Sequence, residues 1–453
     1  MPVINRHIIN PDINYDGANR DDLFRLINRW KRLLLFKYHV RKGNVMALGI
    51  FDVTINHIAC LFAAAELGLK IFIITKPLAR ETIHATKMGI FGPVDITVSQ
   101  KLEPGDLHIE MFSRYSKQIC QEDEIEEITD DTDIEIPVHS SEALIFASTS
   151  GTTGNSKPVF FTHDEVYRIS QRNITVFGYN KNSIVQQTVN MHHASAMLTY
   201  LFPTLMACDT HYVGNIAFGP HLQTRIWYPN EFIEVCLADR KVDNLICSNK
   251  FFLEIMLFGL ERANRFPEHR ITMNMSGFPA TQDIYDMAKK YPIDFISHYG
   301  SIDTGIPLLV NKITQDSVYE PGYIGVLADD FYKIEDNLVY SDLWSEPREV
   351  PDRLMVENGK FYYLGRKVEQ ELYVGEIRES IQDQFGDHDF VISNTGKQYV
   401  VLWDKDIEYD IKNSNSHVDK LFTFVYLNKR DFMVDTKVSM EQLRAYLEHN
   451  YAV

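Results

Sequence analysis

The sequence has little cysteine, little tryptophan and no long uninterrupted apolar run. Its five cysteines, Cys60, Cys120, Cys208, Cys236 and Cys247, are widely spaced and odd in number. No CxxC pair and no Cys/His pair has metal-ligand spacing. That argues against a disulfide scaffold or a zinc module and leaves buried thiols in a reducing compartment as the expectation. The longest apolar stretch, residues 58–74, is interrupted by Glu66 and Lys70 and is too short to span a bilayer. The opening MPVINRHIIN lacks a charged segment followed by an apolar one, so no signal peptide is read there. Positive charge is also in deficit, with 45 Lys+Arg against 62 Asp+Glu and a net charge of −17. Affinity for nucleic acid rests on Lys and Arg neutralising phosphates, so a nucleic-acid partner is disfavoured. A small anionic ligand needs only a local site. What is present is a chain of 453 residues, 45% hydrophobic and 24% charged, with ample length for a large core. It reads as a soluble, cytoplasmic, multidomain enzyme.

The apolar pattern alternates between the two periods. Residues 21–40 carry apolar positions at helical spacing, with Asp21 and Asp22 where a helix dipole favours them. VMALGI (45–50), a helical stretch from Thr54 to Leu67, Gly68 and IFIIT (71–75) then read as strand, helix, helix stop and strand. That is a βαβ unit, the mark of an α/β domain. Further strands are expected at 143–148, 159–162, 210–213, 244–248, 271–277 and 293–300, with helices from Asp164 and over 194–207, 231–239 and 283–290. Thr162 and Glu165 have capping-box spacing. From 319 to 365 the texture shifts to short strands and turns, and a smaller mixed segment follows from 367. Residues 122–135 hold nine acidic residues and no basic one, which reads as a solvated linker.

The densest chemistry lies in Ser148-Thr149-Ser150-Gly151-Thr152-Thr153-Gly154-Asn155-Ser156-Lys157-Pro158. Every position from Ser148 to Gly154 is a hydroxyl residue or a glycine. Glycines let the backbone approach a polyphosphate and turn N–H groups toward it. Hydroxyls donate, and Lys157 supplies a point charge. A Walker A loop would run GxxxxGK[ST] straight into a helix. Here the glycines are three apart and Pro158 follows the lysine, so that reading fails on spacing.

STSGTTGNSKPV resembles the phosphate-binding signature of the adenylate-forming superfamily, which includes acyl-CoA synthetases, peptide-synthetase adenylation domains and luciferases. Other segments match in the family's order, over roughly residues 40–448. The resemblance implies an α/β fold: a large domain of packed sheets and helices over 1–366, and a small α+β domain over 367–453 that moves as a lid. His163 matches the family's Thr-His. Ser276-Gly277-Phe278-Pro279 resembles the turn that lines adenine. His298-Tyr299-Gly300-Ser301-Ile302-Asp303 resembles Tyr-Gly-x-Thr-Glu, where the tyrosine packs on adenine and the acid helps hold Mg2+. Asp303 remains a hard oxygen ligand suited to that ion. Asp352 matches the aspartate that accepts the ribose hydroxyls, and Arg366 the arginine that contacts ribose and ends the large domain. Asp435-Thr436-Lys437 resembles the motif of the catalytic lysine, with Lys437 expected in a loop ahead of a helix that Ser439 and Gln442 would cap.

The resemblance also bears on the acid and the acceptor. His192-His193-Ala194-Ser195 stands where adenylation domains carry Phe-Asp-x-Ser, whose aspartate pairs with an α-amino group. With His193 there, a simple acyl or aryl acid is favoured over an amino acid. His192, Ser195 and Ile302 would line the same pocket. The chain departs from the family at Ile302, Val368 and Thr436, and in a shortened segment between Arg366 and Gly375. The implied reaction is Mg2+-dependent activation of a small carboxylic acid by ATP to an acyl-adenylate with release of pyrophosphate. A thiol acceptor would follow, CoA or a phosphopantetheine carrier protein. The alternatives are transfer to an amine, and a catalytically weakened nucleotide-binding homologue acting in a complex.

Overall fold

The computed structural model describes residues 2–15, 17–49, 54–73, 94–99, 116–148, 158–187, 196–213, 241–247, 269–276, 280–301, 305–344, 346–350, 352–366, 390–394, 398–402, 423–426, 433–434, 437–438, 442–443 and 446. Most of residues 1–349, with 357–361, cluster as one compact unit, and 350–356 with 362–453 as a second.

In chain order the first unit begins with β1 (Asn14–Tyr15), β2 (Ala18–Asn19), α1 (Arg20–Arg32), β3 (Val45–Gly49), α2 (Ile55–Glu66), β4 (Lys70–Ile73), β5 (Ile96–Ser99), β6 (Ile119–Gln121), β7 (Ala143–Ser148), β8 (Pro158–Thr162) and α3 (His163–Phe177). It continues with β9 (Ile184–Gln187), α4 (Phe202–Ala207), β10 (Thr210–Val213), β11 (Asn244–Cys247), β12 (Ile271–Ser276), α5 (Gln282–Lys290), β13 (Ile293–Ser301), β14 (Gly305–Ile313), β15 (Tyr323–Leu327), β16 (Tyr332–Glu335), β17 (Leu338–Ser341) and β18 (Arg348–Glu349). One sheet has the order β6-β5-β3-β4-β7-β8 and is parallel except for β8. The other runs β15-β14-β13-β12-β11-β9-β10-β1-β2 within this unit. Its five central strands, β13 to β10, are mutually parallel. The mixed α/β class and the β3–α2–β4 unit expected from the sequence are both present.

Helices cover the sheets because parallel strands are apolar on both faces. α2 is buried from His57 to Ala65, and such a helix must have partners all round. Its Phe62 meets Phe202 of α4 edge-on at 6.1 Å. α3 starts from β8 with the anticipated capping box: Glu165 N–H donates to Thr162 Oγ1 at 3.2 Å, and Thr162 N–H donates back to Glu165 Oε2 at 2.7 Å. At the other end of α3, Asn173 donates from Nδ2 to the carbonyls of Leu198 and Ile306 at 3.0 and 3.1 Å. One buried amide thereby joins α3 to the next helical turn and to β14.

Two expectations change. The segment read as a plain helix over 194–207 contains a π-helical turn, Met197–Leu201, before α4. Pro203, near the start of α4, has no N–H to give to the carbonyl four residues back, and the wider turn accommodates it. The acidic run is not a solvated linker. Glu122–Glu127 forms a 3-10 turn with Ile125 buried. Glu124 accepts from Tyr38 Oη and Lys37 Nζ, both at 2.6 Å. Asp130 pairs with Arg32, and Asp133 with Lys31 at 2.7 Å and Arg6 at 3.2 Å. The last turn of α1 and the turn after it are basic, and they supply the cations that the acidic run lacks.

The deepest of these pairs centres on Glu66, which takes Arg6 at 2.6 Å and Lys31 at 2.9 Å. Arg6 and Lys31 are almost wholly buried. The paired cations hold the Glu66 carboxyl below the ordinary range against the opposing effect of its burial. Removing one partner of a buried cluster leaves uncompensated charge. Glu66→Gln is therefore expected to lower unfolding free energy by ~3 kcal/mol or more in urea titration. Glu127→Gln, at an exposed pair with Lys37, should cost less than about 1 kcal/mol.

Candidate functional site

The segments expected to carry chemistry follow the carboxyl ends of parallel strands, where α/β sheets place their ligand crevices. β7 ends at Ser148, opposite Pro158 of β8. The glycine- and hydroxyl-rich segment thus connects two antiparallel neighbours whose pairing closes its base. Thr149, Ser150, Gly151, Thr152, Thr153, Gly154 and Lys157 lie outside the described residues, as do His192, His193, Ser195, Gly277, Phe278, Pro279, Ile302 and Asp303. So do Val368, Gly375 and Thr436, where the chain departs from the family pattern.

Tyr299, Gly300 and Ser301 are the last three residues of β13. The register against β14 shifts between Tyr299 and Ser301, from Tyr299↔Leu309 to Ser301↔Gly305. Such an irregularity re-aims a side chain at a strand end. Tyr299 is half-buried and Gly300 exposed, so this strand end reaches the surface of the first unit.

In the second unit, Asp352 opens β19 (Asp352–Glu357) and is buried. β19 neighbours β20 (Lys360–Arg366) across Asn358-Gly359, both at positive φ as a tight hairpin requires. Arg366 is the last residue of β20. The same unit holds β21 (Phe390–Asn394), β22 (Gln398–Leu402) and β23 (Thr423–Tyr426) in one sheet. β24 (Met433–Val434) pairs antiparallel with β25 (Lys437–Val438). Lys437 was expected in a loop and instead begins a two-residue strand. The short apolar pairs Met433-Val434 and Val438 supply the β-forming residues on either side of Asp435-Thr436.

The structure adds a buried polar layer that the motifs did not reveal. On the face of the larger sheet covered by the π-helical turn and α4, Tyr200 Oη and His298 Nε2 are hydrogen-bonded at 2.6 Å. His211 meets Thr204 Oγ1 through Nδ1 at 3.0 Å and Gln187 Oε1 through Nε2 at 3.1 Å. The Gln187 oxygen only accepts, so His211 donates from Nε2, and burial disfavours protonation of the ring. His298 immediately precedes Tyr299, and Tyr200 lies five residues after Ser195, so this bond ties two expected site segments through their neighbours. Arg172 reinforces the same region, pairing with Asp329 and donating to the Pro307 carbonyl and to Tyr332 Oη. The only sequence signal for this layer was polar residues at positions where alternation calls for apolar ones.

His163 is also buried, and its Nδ1 accepts from the Ile4 N–H at 3.2 Å. It fastens the N-terminal segment rather than standing in solvent at the start of α3. A cavity of about 490 Å3 lies elsewhere, beside the β14–β15 pairing, lined by Tyr285, Asn311, Lys312 and Tyr323 among others. It contains none of the expected site residues. Among the described residues no cluster has the composition of a metal site, and no helix is long and apolar enough to cross a membrane.

Burial lowers His298 and His211 to about 3 and His163 to about 4. All three are neutral in the folded protein and protonate near 6.5 when unfolded. Between these values the unfolded chain binds more protons, so stability falls as pH drops below about 6.5. At pH 5.5 each histidine should remove ~1.4 kcal/mol. His211→Gln should shrink that pH dependence by one histidine's share in urea titrations at pH 7.5 and 5.5. An unchanged pH dependence would show that His211 is not held neutral.

No family model and no curated protein sequence matches the chain. Solved structures do. O-succinylbenzoate coenzyme A synthetase (MenE) from Bacillus subtilis, in complex with ATP and magnesium ion, superposes with a TM-score of 0.73 at 17% identity, over 95% of each chain. A fatty acyl CoA synthetase from Mycobacterium tuberculosis gives 0.71 at 13% identity, covering 95% of this chain and 93% of that one. ATP-bound MatB from Rhodopseudomonas palustris gives 0.70 at 12%, covering 97% and 96%. At this identity the likeness establishes the fold alone, and it agrees with the α/β fold that the motifs implied.

Proposed function

We propose that this chain is an AMP-forming ligase that activates a small carboxylic acid with ATP and passes the acyl group to a thiol. The observation that carries the reading is the Ser148–Lys157 segment. It is a run of hydroxyls and glycines closed by a lysine, based on the β7–β8 pairing, in a fold shared with ATP- and AMP-bound synthetases.

In this reading the backbone N–H groups and hydroxyls of Ser148 to Gly154, with Lys157, hold the β- and γ-phosphates. The 277–279 turn and the Tyr299-Gly300-Ser301 strand end hold the adenine. Asp352 accepts both ribose hydroxyls and Arg366 contacts the same sugar. The donor set suits Mg2+, which Asp303 would help hold and which would spread the triphosphate charge. His192, His193, Ser195 and Ile302 border the acid.

A carboxylate oxygen of the acid attacks the α-phosphorus. The bond to the bridging oxygen breaks and pyrophosphate leaves, giving acyl-adenylate. Residues 367–453 are proposed to form a lid that brings Lys437 to the reacting carboxylate and α-phosphate, where its charge counters theirs. A thiolate of CoA or of a carrier's phosphopantetheine then attacks the acyl carbonyl, and AMP departs. This chemistry fits a cytoplasmic enzyme working on metabolites. Two structural neighbours are named as CoA synthetases for O-succinylbenzoate and fatty acids, which supports the ligase class.

A second reading, a weakened nucleotide-binding homologue, is favoured by Ile302, Val368 and Thr436. One experiment separates them. Carboxylate-dependent ATP–pyrophosphate exchange over fatty, aryl and amino acids should detect turnover with at least one acid. Lys437→Ala should cut exchange by roughly 10²-fold or more with an unchanged circular dichroism spectrum. Absence of exchange across the panel would favour the homologue. Exchange without thioester formation from CoA would move the acceptor to a carrier or an amine.

A further inference from the structure

The cavity beside the β14–β15 pairing contains none of the residues proposed for the reaction, and every residue that lines it belongs to the first unit. Its origin lies in the ladder. β14 and β15 are in register at Leu309↔Leu327 and Val310↔Val326 alone, although β14 runs on to Ile313 and β15 begins at Tyr323. The pairing stops at Gly325, whose φ is +129° and where a Cβ would run into the Val310 carbonyl. A glycine inside a strand marks such a close approach of two backbones. Asn311, Lys312 and Tyr323, which follow the last register pair, line the cavity, and its volume of about 490 Å3 is within the range of small-molecule sites.

The lining combines two chemistries. Val310, Val326 and Leu327 are apolar, and Val326 is exposed, so the hydrocarbon wall reaches the surface. The polar part is deeper. Asn311 and Tyr285 are 4% and 2% exposed and share one hydrogen bond, from Asn311 Nδ2 to Tyr285 Oη at 2.9 Å. The phenol oxygen accepts in that bond and keeps its own hydrogen to give, which no described residue takes. Burial raises the Tyr285 phenol above its ordinary range, so it remains a neutral donor. Lys312 carries the only formal charge in the lining, and among the described residues no carboxylate pairs with it. The acid whose charge reaches Tyr285, Glu320, is taken by Lys360. One unpaired cation, a phenolic donor and an aliphatic wall, with no carboxylate in the lining, select an anionic head on an apolar body.

We infer that this cavity is a binding site for a monocarboxylate with an aliphatic body, additional to the place of the acid in the proposed reaction. The carboxylate meets Lys312 and accepts from Tyr285 Oη, and the hydrocarbon lies along Val310, Val326 and Leu327. Hydrogen bonds to charged groups are the stronger kind, so the head fixes the sign of the ligand while the wall supplies apolar burial. Binding breaks no bond and uses no ATP. The inference therefore stands or falls independently of the adenylation reading.

The test titrates the full chain, without ATP, with octanoate, octanol and octylamine in a calorimeter. Octanoate should show a saturable single-site component about tenfold tighter than octanol, and octylamine should bind more weakly than both. Val326→Trp, which adds bulk to the lining from an exposed position, should remove that component. Lys312→Met should bring octanoate to the affinity of octanol and leave octanol unchanged. Both variants should keep the wild-type circular dichroism spectrum and melting temperature, so that loss of the site is separated from loss of the fold. Lys312 is exposed, and its variant gives the answer should Val326→Trp unfold. Neither variant should alter acid-dependent ATP–pyrophosphate exchange. A changed KM for the activated acid in either one would make the cavity part of the substrate site and overturn the inference. So would octanoate binding that both variants leave intact, or equal affinity for octanoate and octylamine. Absence of exchange with every acid would sink adenylation alone and leave the octanoate titration to judge this site.

Discussion

The helix Ile55–Glu66 has no solvent face from His57 to Ala65, and this double burial governs the first unit. A parallel sheet needs cover on both faces, and a helix lying between sheets must be apolar on two sides. Small residues meet that demand in the run Ala63-Ala64-Ala65, where two backbones can pack closely. Phe62 reaches across to Phe202 and so links α2 to α4. Several of the polar groups in this layer are paired. Asn173 gives both amide hydrogens to carbonyls, Tyr200 meets His298, and His211 spans Thr204 and Gln187.

The charge distribution follows a similar logic at the other end of α2. Glu66 closes the helix and collects Arg6 and Lys31, while Asp133 caps the same two cations from the acidic run. A run of nine negative charges suggests solvent only when its own neighbours are considered. The basic residues that pair with it, Arg6, Lys31, Arg32 and Lys37, lie far earlier in the chain, on α1 and on the turns before and after it. The separation hides the pairing from any local reading. It also shows why net charge is a weak guide to folded electrostatics: much of the acidity is matched within the first unit.

The motifs and the tertiary structure carry different parts of the site. The segment from Ser148, proposed to bind phosphates, stood out because polyphosphate chemistry demands many donors close together in sequence, and its strand flanks at 143–148 and 158–162 are present. The end of β13 was legible for the same reason, as a strand terminating in Tyr-Gly-Ser. The capping box at Thr162 and Glu165 was legible because its two bonds span only three residues. The π-helical turn before Pro203 was missed because helical periodicity does not distinguish a five-residue hydrogen bond from a four-residue one over a single turn. Lys437 was placed in a loop because a pairing of two-residue strands leaves almost no periodic trace.

By itself the sequence determined the α/β class and the order of strands and helices, and it singled out the hydroxyl- and glycine-rich segment for which phosphate binding is proposed, since each depends on residues close along the chain. Only the tertiary structure decided which polar side chains are buried together. His298 and Tyr200 are 98 residues apart, and Thr204, His211 and Gln187 come from one helix and two strands. Their pairing depends on sheet register and helix placement, which are long-range outcomes of packing. The same holds for Asn274. In sequence it is one polar residue among methionines. In the folded sheet it is a fully buried amide with two isoleucines at its flanks and no partner of its own.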